Sequence, residues 1–403
     1  MTGLWQNRTF RLLITASGVS GLGAGVTTIA FPWFAASLTR DPFLIGLVAA
    51  GPTLPTLLFT LAAGVLTDRL DRRRTMIFCD AARAGLTLAV AGLALSGMVG
   101  LPVILTLALV AVGLGTALVM HDNVAQSVLP GIVDKDHLER ANAALWSLEQ
   151  LTAQFLGPPV AGALIGFGIA WTFGLDAAML ALSAALTMRL VLPKRPPVPH
   201  QSFGLALKEG MAWLWAHVLL RRLAMVLAGY NFLSRLIWGV MVLYVQDVLR
   251  LSALGYGVLM SAVALGGLAG ALVAPWLIRR IGNKASLMLS IGGFTLSSSV
   301  LIWTTSPVLA GAALMGDAFT GLMWNVVTVS YRQRHIPDAL LGRTNAAYRF
   351  IGTGTLPLGA LAGGALVSLA APLGPAALQL PFAVATLGGF AMLVFAALRL
   401  QLD

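Results

Sequence analysis

Charged side chains are scarce in this chain, and those that interrupt its apolar stretches are the ones equipped for chemistry. An ionised group at the centre of a bilayer costs about 2.5–3.5 kcal/mol on insertion scales, so each one needs a partner or a wet cavity. Asn231, Ser234, Arg235 and Trp238 stand at i, i+3, i+4 and i+7, which places their polar groups on one helix face. Asp317, Thr320, Trp324, Asn325 and Thr328 make a second stripe, and an Arg235–Asp317 ion pair is the first expectation. His121, Asp122, Asn123 and Gln126 cluster in a third stretch, while Glu149, Gln150 and Arg349 lie two to three turns inside theirs. A carboxyl group whose hydration changes as a protein rearranges can take a proton on one side of a membrane and release it on the other. Asp122, Glu149 and Asp317 are therefore proton-carrier candidates, with Arg235 and Arg349 as basic partners. Structural pairing competes with this reading at each carboxylate, and Glu149 and Arg349 read equally well as the ion pair of a gate. His121 reads as a satisfied or cavity-edge histidine, because no second His or Cys stands at ligand spacing, and no metal or cofactor is expected.

The elements that must position these residues follow from composition. Of 403 residues 58% are apolar and 44 more are Gly, charged residues make up 10%, and the mean hydropathy is +0.86. That leaves too little polar surface to clothe a water-soluble particle, which excludes a soluble enzyme. Apolar stretches recur at 9–38, 43–67, 75–98, 101–128, 141–166, 169–192, 219–246, 253–278, 285–304, 307–331, 344–370 and 376–398. Each is long enough to cross a bilayer as a helix, and the alternating pattern of a membrane β-barrel is missing. The fold class is an all-α membrane protein with twelve spans. The first stretch, from Phe10 to Leu38, is too long for a cleavable signal and reads as a retained helix.

The net charge of +11 is a topology signal rather than a mark of nucleic-acid binding. Basic residues gather at the termini and in every second connection, whereas only Arg40 and Arg250 lie in the other set. The positive-inside rule then puts both termini and the basic loops in the cytoplasm, beside anionic lipid headgroups. The lone cysteine, Cys79, excludes a disulfide framework and reads as core filler. Asp176 is expected to cap the outer end of the sixth span.

A connection rich in Pro, with Pro193, Pro196, Pro197 and Pro199, leads into an amphipathic piece from Phe203 to Trp215. It divides the chain into a six-helix bundle over 1–192, a cytoplasmic linker over 193–217 and a second six-helix bundle over 218–403. Arg140-Ala-Asn-Ala-Ala-Leu-Trp146 returns in the second half as Arg343-Thr-Asn-Ala-Ala-Tyr-Arg349. Such a duplication is the architecture of alternating-access carriers, in which two like bundles rock around a shared site.

Between the second and third spans the chain reads Gly64-Val-Leu-Thr-Asp68-Arg69-Leu-Asp71-Arg72-Arg73-Arg74, then Asp80 and Arg83. This resembles the signature loop of the major facilitator superfamily, G-x-L-x-D-R-x-G-R-[RK], with Asp71 in place of the second Gly. Together with Leu129-Pro130, Glu209-Gly210, Leu220-Arg-Arg-Leu223, Gly342-Arg343 and Pro357-Leu-Gly359, it is similar to the branch of bacterial enterobactin exporters and macrolide or multidrug efflux pumps. The resemblance spans nearly the whole chain. It implies a major facilitator fold with two pseudo-symmetric bundles, and a cytoplasmic latch in which Gly64, Asp68, Arg69, Arg72 and Arg73 hold one half to the start of the eleventh span near Arg343. Solvated positive-inside charge is the competing reading for Arg73 and Arg74. Gly157-Pro158-Pro159-Val-Ala161-Gly162 resembles the antiporter motif G-P-x-x-G-G with Ala161 replacing one Gly, and small residues with Pro can make a gate hinge or simply pack tightly. Antiporters of the superfamily often carry an Arg in the fourth span, and 101–128 has none.

In this superfamily the first, fourth, seventh and tenth spans line the central cavity. The resemblance therefore makes Thr28, Trp33, Asn123, Tyr230, Asn231, Trp238, Trp324 and Asn325 candidate substrate contacts. Trp146 and Tyr348 add to an aromatic supply that suits amphipathic ligands of varied shape. The implied function is proton-coupled export of small amphipathic molecules (drugs, macrolide-like compounds or siderophores) by a monomer in the bacterial inner membrane. A facilitator, importer or lipid flippase without proton antiport remains the alternative. An ATP-driven pump would need a G-x-x-x-x-G-K-[ST] loop, and a membrane enzyme clustered carboxylates or a H-E-x-x-H helix; neither pattern occurs.

Overall fold

The computed structural model describes residues 2–59, 71–134, 137–192 and 203–400, which are helical with short turns and contain no strand. Helices are what an apolar chain must form in lipid, where every backbone group has to find its partner within the segment. Side chains at the helix starts take up first-turn N–H groups. Asp41 accepts from Phe43 N at 2.8 Å ahead of Pro42, Asp71 from Arg74 N at 2.9 Å, and Ser306 from Leu309 N at 3.4 Å ahead of Pro307. Asp71, which departs from the signature loop, is thus an N-cap.

The first part of the chain runs through α1 (Arg8–Leu38), α2 (Pro42–Ala50), α3 (Arg72–Leu95), α4 (Leu101–Val128), α5 (Leu138–Glu149), α6 (Gly157–Phe167) and α7 (Ile169–Thr187). The second runs through α8 (Phe203–Ala216), α9 (Val218–Trp238), α10 (Met241–Asp247), α11 (Ala253–Trp303), α12 (Pro307–His335), α13 (Asp338–Gly354), α14 (Leu356–Leu369) and α15 (Leu380–Arg399). α11 breaks at Gly282, where φ is 82° and ψ 169°, a backbone region open to glycine alone, so its two parts follow the stretches at 253–278 and 285–304. Among the described residues eight helices are long and apolar enough to cross a membrane, or nine if Lys208–Ala216 and Val218–Trp238, bent by 106°, count as one. Large apolar side chains stand exposed at Trp171 (75%), Trp303 (83%) and Leu369 (84%). A surface of that kind belongs in lipid, and the chain is a multi-pass membrane protein.

Two compact units form. Unit 1 contains residues 1–38, 58–200 and 252–261, and unit 2 contains 39–57, 201–251 and 262–403. The stretches at 43–67 and 253–278 are each shared, α2 packing within unit 2 and the first turns of α11 within unit 1. Phe10, Leu13, Met76, Val124, Leu129 and Leu190 make one core of unit 1. There α1 and α6 meet backbone to backbone: a Cβ on Gly25 would run into the Ala153 carbonyl, and one on Gly157 into the Gly25 Cα.

Between α5 and α6 the helix widens to a π-turn over Gln150–Leu156, where Gly157 N bonds the Thr152 carbonyl five residues back. Pro158 and Pro159 explain the widening, since neither offers an N–H to the turn before it. The Phe155 carbonyl, freed by Pro159, accepts Ser261 Oγ at 2.7 Å instead. Unit 2 has its own core of Leu214, Leu220, Leu223, Ile291, Val327, Tyr348 and Leu400. α8 is fastened within that unit, with Gly210 against the Arg343 backbone and Glu209 ion-paired to Arg343.

Candidate functional site

A hollow lies inside unit 2, a cavity of about 660 Å³ walled by α9, α12 and α13. Tyr230 and Asn231 enter from α9, Asp317, Trp324, Asn325, Thr328 and Arg332 from α12, and Asn345, Tyr348 and Arg349 from α13. The Tyr230 hydroxyl donates to Asp317 Oδ1 at 3.3 Å and its ring lies 4.8 Å from Phe294. Asn231 Nδ2 donates to the Gly352 carbonyl at 2.7 Å, which ties α9 to α13. Fifteen residues along α12, about 22 Å, the Arg332 guanidinium lies over the Tyr348 ring at 4.1 Å and its Nε donates to the Thr328 carbonyl at 3.2 Å. The cavity thus has a carboxylate nearly three turns inside α12, a cation in the last turn of that helix, and aromatic walls between.

Eight of the residues singled out in the sequence line this cavity: Asp317, Tyr230, Asn231, Trp324, Asn325, Thr328, Tyr348 and Arg349. Arg235 does not, and the expected Arg235–Asp317 pair is absent; among the described residues no carboxylate lies within 4.0 Å of Arg235, and Asp317 takes Tyr230 instead. The reason is helical phase. Arg235 is five residues from Tyr230, about 140° around the helix, and its Cβ sits beside Gly359 of α14. The stripe through Asn231 and Arg235 is a real face of α9, but it packs on α13 and α14. Trp238 ends the same helix half-buried and does not line the cavity. Arg332 escaped the sequence reading because the tenth apolar stretch stops at 331. Its signal was the i+4 continuation of the Asp317, Thr320, Trp324 and Thr328 stripe.

Unit 1 places the other candidates separately. Thr28 bonds the Ala24 carbonyl of its own helix at 2.9 Å, Asn123 bonds the Val119 carbonyl at 2.7 Å, and Trp33 faces Tyr256 at 6.4 Å. Glu149 is exposed at the end of α5. Pro158 lies against Gly257, and Gly162 against the backbone of Ala253 and Leu254, so this stretch of α6 packs closely on the first turns of α11. Arg73 donates to the Met188 carbonyl at the end of α7, so it is tied to unit 1 rather than merely solvated, and Arg72 is half-buried in the first turn of α3. Gly64, Asp68 and Arg69 lie outside the described residues.

The largest surprise is a buried polar cluster. Asp80 and Arg83 of α3, Ser20 of α1, His121 of α4 and Ser183 of α7 are all 5% exposed or less and are gathered around Asp80. Asp176 is fully buried, accepts Thr27 Oγ1 at 2.5 Å, and does not cap its helix, which starts at Gly168, two turns earlier. Asp80 and Arg83, which the resemblance to the signature loop takes as its continuation, fall two to three turns inside α3.

Apolar helices, a cavity that sets polar and charged side chains between aromatic walls, and buried charges inside the spans define a membrane transporter, not an enzyme. The chain belongs to the transmembrane secretion effector family, whose model matches residues 3–401. It is 25% identical over 394 residues to the enterobactin exporter EntS of Escherichia coli O1:K1 / APEC, covering 97% of this chain and 91% of that one. The enterobactin exporter EntS of Shigella boydii serotype 4 (strain Sb227) has the same identity and coverage. In fold it is similar to the solved structure of nucleoside transporter NupG, with TM-score 0.73 and 15% identity, over 98% of this chain and 100% of that chain. The fold is that of the major facilitator superfamily.

Proposed function

We propose that the protein is a secondary exporter of small amphipathic molecules in the bacterial inner membrane, working by alternating access coupled to protons. The observation that carries this reading is the unit 2 cavity. Its volume of about 660 Å³ lies in the usual range for drug-sized ligands. Tyr230, Trp324 and Tyr348 supply broad apolar contact, while Asp317 at one end and Arg332 and Arg349 at the other orient a molecule with one polar head. The similarity to enterobactin exporters supports the outward direction. Asp317, paired to a neutral tyrosine rather than to a cation, is free to exchange a proton for substrate. On this reading both termini lie in the cytoplasm, which the positive-inside distribution of the basic loops supports, and the monomer is the working unit.

Inverted membrane vesicles provide the test, with Hoechst 33342 and erythromycin as probes and the proton gradient either present or collapsed. Gradient-driven accumulation that falls at least tenfold in Asp317→Asn is the expected result, with Asp122→Asn and Glu149→Gln compared alongside. Movement indifferent to the gradient, with all three variants behaving as wild type, would make the protein a facilitator.

A further inference from the structure

The export reading leaves unused a line of ionisable groups in unit 1. Asp80 is wholly buried and accepts Ser183 Oγ at 2.6 Å and Arg83 Nη1 at 3.3 Å. Arg83 also donates to Ser20 Oγ at 2.9 Å. His121 stands between two carboxylates, its Nε2 3.7 Å from Asp80 Oδ2 and its Nδ1 3.3 Å from Asp122 Oδ1. The Asp122 side chain is 52% exposed. One imidazole therefore joins the protein surface to a buried ion pair. A purely structural pair does not need that imidazole, because Ser183 and Arg83 already satisfy Asp80, and the 3.7 Å from Nε2 to Oδ2 is a gap that a turn of the ring must close to hydrogen-bonding distance before a proton can pass.

Asp176 supplies a second observation. Two turns along α7 from Ser183, it is as deeply buried as Asp80; Thr27 occupies its Oδ2 and nothing occupies its Oδ1. Arg83 is the cation whose charge reaches it. The other titratable groups around His121 are Cys79 of α3, buried beside Asp80, and Glu149 of α5, which is repelled by Asp122. The first helix contributes only hydroxyls, Ser20 and Thr27.

We infer that Asp122, His121 and Asp80 form a proton relay inside unit 1 and that Arg83 is its charge-exchange partner, an inference that rests on the proton-coupled reading above. Asp122 takes a proton from water and passes it to His121 Nδ1 while the Nε2 proton moves to Asp80 Oδ2. Only O–H and N–H bonds form and break, and the net change is one proton moved from water to Asp80. The imidazole ends as its other tautomer and resets when the proton returns or the ring turns. Asp80, once neutral, no longer holds Arg83, which turns toward the open oxygen of Asp176. Proton arrival is thereby converted into a side-chain movement between α3 and α7.

Infrared difference spectroscopy after a pH jump, on the full-length protein in lipid nanodiscs, reads the C=O stretch of a newly protonated carboxyl and needs no transported probe. The wild type should gain a band that is missing in Asp80→Asn and appears at least tenfold more slowly in His121→Gln, whose amide cannot pass a proton. If Asp80→Asn does not fold, Asp80→Glu supplies the assignment by shifting the band. A band that survives Asp80→Asn, or a wild-type rate in His121→Gln, overturns the relay. Hoechst 33342 export from the same preparations separates the two ideas. Gradient-driven export with an unchanged His121→Gln band sinks the relay alone, whereas a His121-dependent band in a protein whose export ignores the gradient sinks the export reading alone.

Discussion

Unit 1 and unit 2 use their few charges in opposite ways. In unit 1 they are packed into the helix core, where Asp80, Arg83 and His121 are 5% exposed or less. In unit 2 they border a hollow, Asp317, Arg332 and Arg349 standing on the walls of the cavity. The register of the two basic loops makes the contrast concrete. Arg279 stands where the first half has Asp68, and counting on equally from each puts Ile291 and Phe294 at the places of Asp80 and Arg83. Both are buried, Ile291 at 1% and Phe294 at 2% exposed, and Phe294 packs on the Tyr230 ring that holds Asp317. A duplicated fold has thus kept an ion pair in one copy and an apolar contact in the other. The lesson is a difference in how charge is housed: the first copy closes its core on a paired carboxylate and guanidinium, whereas the second sets Asp317, Arg332 and Arg349 around open space.

The strongest way to break that contrast is to remove one half of the buried pair. Asp80→Ala leaves Arg83 without its carboxylate, and stranding a buried charge costs about 3–5 kcal/mol. Thermal unfolding in detergent should show a large drop, and the double replacement Asp80→Leu with Arg83→Met should recover most of it. Asp317→Ala in the open cavity should move the same midpoint little. If the single and double unit 1 variants unfold alike, Asp80 and Arg83 are not a pair. Gly157→Val comes next, at about 1–3 kcal/mol, because the Gly25 backbone occupies the space a side chain needs. Gly92→Ala, with nothing near its missing Cβ, is the matched control and should be neutral or slightly stabilising, since alanine favours a helix interior by about 0.5–1 kcal/mol.

What the sequence disclosed follows the same physical divide. Span positions were legible because lipid enforces long apolar runs, and the helices fall on the apolar stretches wherever both are described. The α12 stripe was legible as well, because one helix fixes the direction of its own side chains and Asp317, Trp324 and Asn325 had to share a face. Partners across helices were not. Periodicity carries no information about which neighbour a face meets, so Arg235 was matched to Asp317 by charge alone while its stripe in fact packs on Gly352 and Gly359. Asp80 and Arg83 were hidden as well. They follow a loop with four arginines and read as its continuation, and although the stretch at 75–98 contains them, nothing in periodicity shows that they meet Ser20, His121 and Ser183 on three other helices.

Within unit 2 a milder change sharpens the picture. Arg332→Gln keeps a polar group in the cavity but removes the cation that lies over Tyr348, and charged contacts of this sort are worth about 1.5–3 kcal/mol. KM for an amphipathic anion should rise on the order of tenfold, with kcat and KM for a cationic dye little changed. Arg332→Lys should recover the effect in part only, because an ammonium cannot reproduce the flat guanidinium over the ring. Equal losses for anionic and cationic probes would mean that Arg332 holds α12 to α13 and does not read substrate charge.

The smallest expected effect is the most direct check on helical phase. If Arg235 and Asp317 were partners, exchanging them as Arg235→Asp with Asp317→Arg would restore part of the export lost in either single variant. The geometry gives no reason for rescue. Arg235 faces α14 beside Gly359, whereas Asp317 meets Tyr230 on a part of α9 about 140° away. The exchanged protein should therefore export no better than Asp317→Arg alone, within about twofold, because an arginine at 317 meets a phenol and an aspartate at 235 meets a glycine backbone. Partial rescue would require α9 to turn by more than a third of a revolution during transport, and would make the stripe through Asn231 and Arg235 part of the moving site.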